Sequence, residues 1–265
     1  MHPILIQFFG LSIHSYGVML AIGFMVGISL AAREATRTGL DPEKVLNLTF
    51  WILVSAIVGS RLFHCMVFYP QYLRDPLRIL KLWEGGLVFY GGFLGAVLAS
   101  AIYTRVQGMN FWRVADALIP SVMIGLMFGR IGCLLAGCCF GKVCSDHFAL
   151  GITFHNPIGL GIKNVPLYPT QPLSAFNALM IFAILWLYRK RIRFHGELLA
   201  VCLFLYSVTR FLIEFLRDDP RGFLNLGSLA LSESQVVSVV LFFAAAGILV
   251  WVRPRQALST ASPRK

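Results

Sequence analysis

Seven apolar stretches, each of about 20 residues and with at most three charged residues, run through this chain of 265 residues. A stretch of that length crosses a bilayer as a helix, which satisfies its own backbone hydrogen bonds. Only 13% of the residues are charged, whereas soluble domains carry about 25%. The chain is therefore predicted to be an all-α, polytopic membrane protein with seven transmembrane helices. The predicted spans are 16–32, 46–67, 87–104, 114–136, 172–188, 197–216 and 234–252.

The lysines and arginines between the spans predict the orientation, because cytoplasmic loops carry an excess of them. Thirteen lie in one set of alternating segments and seven in the other. The N-terminus is accordingly predicted outside and the C-terminus in the cytoplasm. The formal charge of +11 follows this loop pattern and does not indicate nucleic-acid binding. We predict a single transmembrane domain over 1–256 and a disordered cytoplasmic tail over 257–265. The segments richer in positive charge are 33–45, 105–113, 189–196 and 253–265.

Two segments on the predicted outer side are long. Segment 68–86 mixes aromatic residues and leucines with basic residues, which fits either an amphipathic helix in the membrane interface or an ordinary loop. Segment 137–171 is rich in glycine and proline and has no apolar period. It is predicted to form an ordered cap over the outer face.

With this topology, polar residues of six helices fall at one depth, in the outer half of the membrane. Arg210 and Glu214 are four residues apart and are predicted to pair on one helix face. This pair could also serve only to hold its helix in the bundle. The residues at this depth are Tyr16, Arg61, His64, Tyr90, Arg130, Gln171, Arg210, Glu214 and Arg217.

Arg61 and Arg130 have no acidic partner in any predicted span. Two such guanidinium groups near the outer leaflet favour an anion, and their forked donors suit the phosphate oxygens of a phospholipid. Either arginine alone could instead extend its charged end to the interface. The glycine spacings 91–95 and 125–129 allow helix backbones to approach closely, which fits a cavity wall or packing alone.

Six sequence blocks occur in the order and spacing of a known family: SYGVMLAIGF (15–24), GSRLFH (59–64), GGLVFYGG (85–92), GRIG (129–132), YPTQP (168–172) and YSVTRFLIEFLRDD (206–219). In these blocks the chain resembles the bacterial prolipoprotein diacylglyceryl transferases over nearly its whole length. The resemblance implies a seven-helix, multi-pass enzyme of the bacterial inner membrane. Such enzymes move diacylglycerol from phosphatidylglycerol to the lipobox cysteine thiol of a prolipoprotein, releasing glycerol 1-phosphate.

The resemblance also assigns roles to residues of this chain. It implies that the partners are phosphatidylglycerol, membrane lipid and the prolipoprotein signal peptide with its lipobox cysteine, with no nucleic acid, cofactor or metal. Residues predicted to be catalytic are Tyr16, Tyr90, Arg210 and Glu214. Residues predicted to bind substrate are Arg61, Arg130, Gly141 and Tyr206.

The chain departs from the common family pattern at two places. Tyr90 stands where the family has the histidine that is the proposed base for the thiol. In the signature that begins with GRIG, Cys133 and Ala136 replace asparagines and Cys138 replaces a glutamate. A tyrosine of pKa about 10 is a poor base, and His64 could substitute for it. The chain is either a divergent transferase with another proton acceptor or a lipid-binding paralogue with lost or altered catalysis.

Four cysteines, Cys133, Cys138, Cys139 and Cys144, follow Arg130 at the predicted membrane surface. Disulfides suit an oxidising exterior, whereas the spacing lacks the usual C-x2-C pairs of a metal site. Disulfides, a metal site and free packing thiols all stay open here. Cys65 and Cys202 lie inside spans and are predicted to be small apolar fillers.

Overall fold

Long α-helices dominate the fold. The computed structural model describes residues 3–8, 11–81, 85–145, 148–154, 164–217, 223–226 and 229–261. Within these residues there are eight α-helices, and all but α3 have 18 residues or more. They are α1 (Ser15–Arg37), α2 (Pro42–Val67), α3 (Tyr69–Arg74), α4 (Phe89–Val106), α5 (Phe111–Ala136), α6 (Thr170–Tyr188), α7 (Glu197–Glu214) and α8 (Glu233–Ala261).

Six helices in the described part of the chain are long and apolar enough to cross a membrane: α1, α2, α4, α5, α6 and α8. Helix α7 is long enough, but its 18 residues include Glu197, Arg210 and Glu214. The prediction of an all-helical, multi-pass membrane fold is confirmed. The count of seven spans and the orientation of the two termini stay predictions.

The chain divides into two compact units. The first unit comprises residues 1–30 and 118–265, and the second comprises 31–117. The prediction of one transmembrane domain over 1–256 is not decided by this division. Helix α8 continues to Ala261, and the last four residues of the predicted tail lie outside the described residues.

The core of the first unit joins α5, α6 and α7. Met123, Ile181, Leu185 and Leu198 pack in it with Cys202, which is 1% exposed and acts as a small apolar residue, as predicted. Helix α1 packs on α5 where Gly23 meets it. A Cβ on Gly23 would lie 2.8 Å from Phe128 Cβ and 3.4 Å from the carbonyl oxygen of Gly125.

The second unit is organised by the packing of α2 against α4. A Cβ built on Gly91 would lie 2.3 Å from the carbonyl oxygen of Gly59, and one on Gly95 would lie 2.4 Å from that of Ser55. No real side chain fits at those distances, so the two backbones touch only because both positions are glycine. The predicted close approach at the 91–95 spacing is confirmed.

Three short antiparallel strand pairs occur among the described residues, one before α1, one between α5 and α6 and one between α7 and α8, and the sequence did not predict them. The strands are β1 (Ile4–Phe8) with β2 (Leu11–His14), β3 (Ile152–Thr153) with β4 (Pro166–Leu167), and β5 (Phe223–Leu226) with β6 (Leu229–Ser232).

The two long segments predicted on the outer side, 137–171 and 68–86, differ in their structure. In 137–171, Phe140, Phe154 and Leu167 form a small core, as expected of an ordered cap, although 146–147 and 155–163 lie outside the described residues. Segment 68–86, of which 82–84 lie outside the described residues, contains α3 and a 3-10 helix (Pro76–Leu80), and its described part is not one continuous amphipathic helix.

Candidate functional site

Arg130 lies near the end of α5, in the first unit. Its side chain is half-buried and forms no hydrogen bond or ion pair with any residue that the structure describes. Tyr16, in the first turn of α1, lies near enough to Arg130 to interact with it electrostatically. Gly132 permits the close approach of Tyr16, because a Cβ at position 132 would lie 3.0 Å from Tyr16 Cδ2. The first unit thus holds an unpaired cation beside a tyrosine.

Arg210 and Glu214 form the predicted pair on α7. Arg210 Nη1 lies 2.6 Å from Glu214 Oε2, and about a tenth of each side chain is exposed. Arg210 Nη2 also donates to Ser234 Oγ at 2.8 Å. Arg217 Nε lies 3.7 Å from Glu214 Oε2. One carboxylate therefore holds two arginines in fixed positions.

Sequence reasoning did not find the two serines that complete this pair. Ser232 Oγ donates a hydrogen bond to Glu214 Oε1 at 2.9 Å. The same Oγ accepts a hydrogen bond from the N–H of Gln235 at 3.2 Å. In return, Gln235 Oε1 accepts one from the N–H of Ser232 at 3.0 Å. The reciprocal bonds are a capping box, which the spacing S-x-x-Q signals. That signal predicts the start of α8, but it does not reveal that the cap also holds Glu214.

Positive charge accumulates in this part of the first unit. Arg130 and Arg210 are near enough to interact electrostatically, as are Arg210 and Arg217, and Tyr206 lies within the same range of Arg210. Glu214 compensates one of the three guanidinium charges. Arg130 adds a positive charge beside the Arg210–Glu214 pair, which suits an anionic phosphate group.

Gly141, the closing glycine of the signature, is enclosed by backbone. A Cβ there would lie 2.7 Å from the carbonyl oxygen of Leu216 and 2.7 Å from both Cβ and the carbonyl oxygen of Tyr168. Gly141 forms a β-bridge with Arg217, and the N–H of Lys142 donates to the carbonyl oxygen of Leu216 at 2.8 Å. Close packing therefore explains a glycine at this position without contact to a substrate.

The first turn of α6 holds the loop that follows α5. Thr170 Oγ1 donates to the carbonyl oxygen of Cys139 at 3.1 Å, and Gln171 Nε2 donates to that of Cys138 at 2.9 Å. Both side chains are 1% exposed. The YPTQP block thus fixes the loop next to Arg130, a role that its sequence alone does not indicate.

This loop brings three thiols together at the end of α5. The sulfur atoms of Cys133, Cys138 and Cys139 all lie within 4.8 Å of one another, and Cys144 is not part of the group. None of the six cysteines forms a disulfide in the described structure. Hydrogen bonds with Cys133 and with Cys139 raise the pKa of the Cys138 thiol.

Arg61, in the second unit, is 5% exposed and donates to main-chain carbonyl groups. Nε donates to the carbonyl oxygen of Ile79 at 3.0 Å. Nη1 donates to the carbonyl oxygens of Gly85 at 2.6 Å and Gly86 at 3.2 Å. Nη2 donates to the carbonyl oxygen of Lys81 at 3.1 Å and to that of Arg78. All five N–H groups of this guanidinium are engaged. Arg61 therefore holds the backbone at 78–81 and at 85–86, and its predicted contact with phosphate stays a prediction.

Two further predicted residues lie in the second unit. His64 Nδ1 is 2.9 Å from Tyr72 Oη, and this contact, together with its ring contact with Phe68, gives it a packing role. Tyr90 lies in the first turn of α4, half-buried beside Phe89.

The predicted site residues thus fall into two groups. Tyr16, Arg130, Gly141, Tyr206, Arg210 and Glu214 belong to the first unit, and Arg61 and Tyr90 to the second.

An apolar groove of about 360 Å³ lies on α7 and α8. Its lining includes Ser207, Val208, Phe211, Leu212, Val239 and Phe242. Arg210 lies in the same stretch of α7 but does not line the groove.

Comparison with known proteins decides the family. The family model described as prolipoprotein diacylglyceryl transferase matches residues 3–251. The chain belongs to the prolipoprotein diacylglyceryl transferase family. The phosphatidylglycerol–prolipoprotein diacylglyceryl transferase 2 of Clostridium perfringens is 34% identical over 252 residues, covering 95% of this chain and 94% of the relative.

Other members of the diacylglyceryl transferase family are similarly related. The enzymes named phosphatidylglycerol–prolipoprotein diacylglyceryl transferase in Clostridium tetani and Bacillus licheniformis are 33% and 31% identical, over 95% and 96% of this chain. The aligned region covers 97% of the Clostridium tetani enzyme and 93% of the Bacillus licheniformis enzyme. The resemblance seen in the six sequence blocks is confirmed over the whole membrane region.

Proposed function

We propose that this chain transfers the diacylglyceryl group of phosphatidylglycerol to the lipobox cysteine of a prolipoprotein in the bacterial inner membrane. The carbon–oxygen bond to the phosphate breaks and a carbon–sulfur bond forms, giving a thioether. The electron pair of the broken bond leaves on the phosphate oxygen of glycerol 1-phosphate. The thiol must lose its proton before or during the attack.

The observation that carries this proposal is Arg130, the half-buried arginine without a hydrogen-bond or ion-pair partner among the described residues. Burying an arginine without a partner is costly, so its position favours an anionic ligand. A guanidinium fork can bind two oxygens of one phosphate. Arg130 is therefore proposed to bind the phosphate of phosphatidylglycerol.

Arg210, Tyr206 and Tyr16 are proposed to complete the site around the leaving group. Charge grows on the phosphate oxygen as the carbon–oxygen bond breaks, and donors already aimed there stabilise that charge most effectively. Glu214 and the two serines keep Arg210 in place before substrate binds. The groove on α7 and α8 offers room for one acyl chain.

The alternative is a family paralogue that binds phospholipid but has lost or altered catalysis. Tyr90 favours it, since a tyrosine accepts a proton poorly at neutral pH. Cys133, Ala136 and Cys138, which replace polar residues of the common signature, favour it as well.

A complementation experiment separates the two functions. The chain is expressed in a strain depleted of its own diacylglyceryl transferase, and growth and the mass of a reporter lipoprotein are measured. We expect growth to recover and the reporter to gain one diacylglyceryl group. An inserted chain that binds phosphatidylglycerol vesicles but leaves the reporter unmodified would instead establish the paralogue.

A further inference from the structure

We propose that Cys133, Cys138 and Cys139 bind one zinc ion that activates the lipobox thiol. The inference rests on the proposed transferase function, and it supplies the proton-accepting step for which Tyr90 is poorly suited. Of the three alternatives that the sequence left open for the cysteines, it selects the metal site.

The distances between the sulfur atoms fit this ion. Three thiolates bound to one tetrahedral zinc, with zinc–sulfur bonds of about 2.3 Å, would lie about 3.8 Å from one another. In the structure all three sulfur atoms lie within 4.8 Å of one another. The sulfur–sulfur distances therefore exceed those of a zinc site by about 1 Å at most.

The backbone around the thiols is held in place. Cys133 lies in the last turn of α5, and the N–H of Cys138 donates to its carbonyl oxygen at 3.1 Å. The loop then turns back through Cys139, which has a φ of 61°, in the left-handed region. Such a conformation is uncommon for a residue other than glycine and persists where the surroundings impose it. Here Thr170 and Gln171 hold the two loop carbonyls from α6.

The chemistry of the ligand set points to zinc with one open position. Thiolate ligands favour soft and borderline ions, and zinc in an oxidising exterior needs no reductant to keep its oxidation state. Three protein ligands leave a fourth position, which is the arrangement of catalytic zinc sites. A thiol that occupies that position is deprotonated on binding, because the metal stabilises the thiolate.

The proposed step balances without another reactant. The lipobox thiol binds zinc and releases its proton to solvent. Its sulfur then attacks the glycerol carbon, the carbon–oxygen bond breaks, and the phosphate leaves with the electron pair. The neutral thioether is a weaker ligand than a thiolate and dissociates from the metal.

The position of the thiols relative to the proposed phosphate site supports this role. Arg130 is within Coulombic range of Cys133, and Tyr16 is within range of all three thiols. Zinc with three thiolates would carry one formal negative charge, and two with the lipobox thiolate bound, beside the positive charge of Arg130. A zinc-bound thiolate would therefore form beside the phosphate ester that it must attack.

The first test measures metal binding in the full-length protein purified in detergent. We expect about one zinc per chain, and intense thiolate-to-cobalt absorption once cobalt replaces the zinc. The Cys138→Ser variant should lose the bound zinc and the cobalt absorption. The matched control Cys144→Ser should keep the zinc and the absorption. A zinc content unchanged by Cys138→Ser, or a disulfide within the group of three found by mass spectrometry, would overturn the proposal.

The second test uses a lipobox peptide and a serine analogue of it. The thiol peptide should shift the visible bands of the cobalt protein, and the serine peptide should not. Chelator-treated membranes should lose transfer at least tenfold and recover it with zinc. Transfer that survives removal of zinc overturns the metal inference and leaves the transferase function standing. Absence of transfer at full zinc occupancy overturns the transferase function itself.

Discussion

At the scale of single residues, the main result is that two arginines which look alike in the sequence differ in the structure. Arg61 is surrounded by carbonyl groups of segment 78–86, and Arg130 has no hydrogen-bond or ion-pair partner among the described residues. A search for acidic partners cannot separate them, because backbone carbonyls can satisfy a guanidinium without any charged residue. Arg130 is therefore the stronger candidate for binding phosphate.

Arg130→Ala should reduce lipid transfer by roughly 100- to 1,000-fold, the usual effect of removing one donor to a developing oxyanion. Arg130→Lys should recover only part of the loss, since an ammonium group cannot fork to two oxygens. Transfer is measured in membranes at matched protein levels. Arg105→Ala, at an exposed position in α4, is the control. Full activity in Arg130→Ala would rule out its phosphate-binding role.

Tyr90→His restores the residue that is common in the family. An imidazole with a pKa near 6.5 accepts a proton as its neutral form, so transfer should rise as pH increases through about 6.5. We expect this variant to exceed the wild type at pH 7 in chelator-treated membranes. Tyr103→His, in the same helix, controls for folding. Lower transfer than the wild type at every pH would mean that the tyrosine hydroxyl has a role that histidine cannot take.

At the scale of elements, glycines decide which segments can touch. Gly141→Ala places a Cβ within 2.7 Å of the backbone at Leu216 and at Tyr168. Overpacking of this kind costs about 1–3 kcal/mol, and here it also separates two segments of the site. We expect a lower melting temperature in detergent and weaker transfer. Gly247→Ala, whose Cβ has nothing within 4 Å, should leave both unchanged. Equal behaviour of the two variants would contradict the packing role.

Glycines also allow the close contact between Arg61 and the backbone at Gly85 and Gly86. Gly85 and Gly86 both have positive φ, at 80° and 76°. A Cβ on Gly86 would lie 2.7 Å from Arg61 Nη1, whereas one on Gly85 has nothing within 4 Å. Both alanine variants carry the same backbone strain, of about 1 kcal/mol. Only Gly86→Ala should also speed proteolysis of segment 78–86. Identical cleavage rates would show that Arg61 does not hold this segment.

At the scale of the whole molecule, the open question is whether α7 crosses the membrane. Arg210 and Glu197 are buried and Glu214 is half-buried, and Glu197 accepts a hydrogen bond from Tyr188 at 2.7 Å. Paired charges reduce the cost of burial, so we expect α7 to span. Phosphatase fused after residue 194 should be inactive, and after residue 226 active, because only the outside is oxidising. Equal activity at both positions would leave six spans.

The positions of the long helices can be predicted from the amino-acid sequence. Apolar length and the absence of charge mark a helix wherever lipid is the solvent, and the predicted span 114–136 corresponds to α5 over Phe111–Ala136. Several helices run beyond the predicted apolar stretches, as α2 does from Pro42 and α5 from Phe111, because polar residues can also be helical. The 3.6-residue period also determined that Arg210 and Glu214 share one face of α7, because residues four apart in a helix are neighbours.

The contacts of each polar residue, in contrast, depend on how distant parts of the chain pack together. The hydroxyl groups of Ser232 and Ser234, the carbonyls around Arg61 and the Thr170–Gln171 contacts to the cysteine loop join residues that are distant in sequence or use backbone atoms. Neither kind of contact leaves a periodic signal. The grouping of Cys133, Cys138 and Cys139 depends likewise on how the chain turns after α5, where a left-handed residue and two bonds from α6 bring the thiols together. Composition and spacing could name these side chains, but only folding placed them within reach of one another.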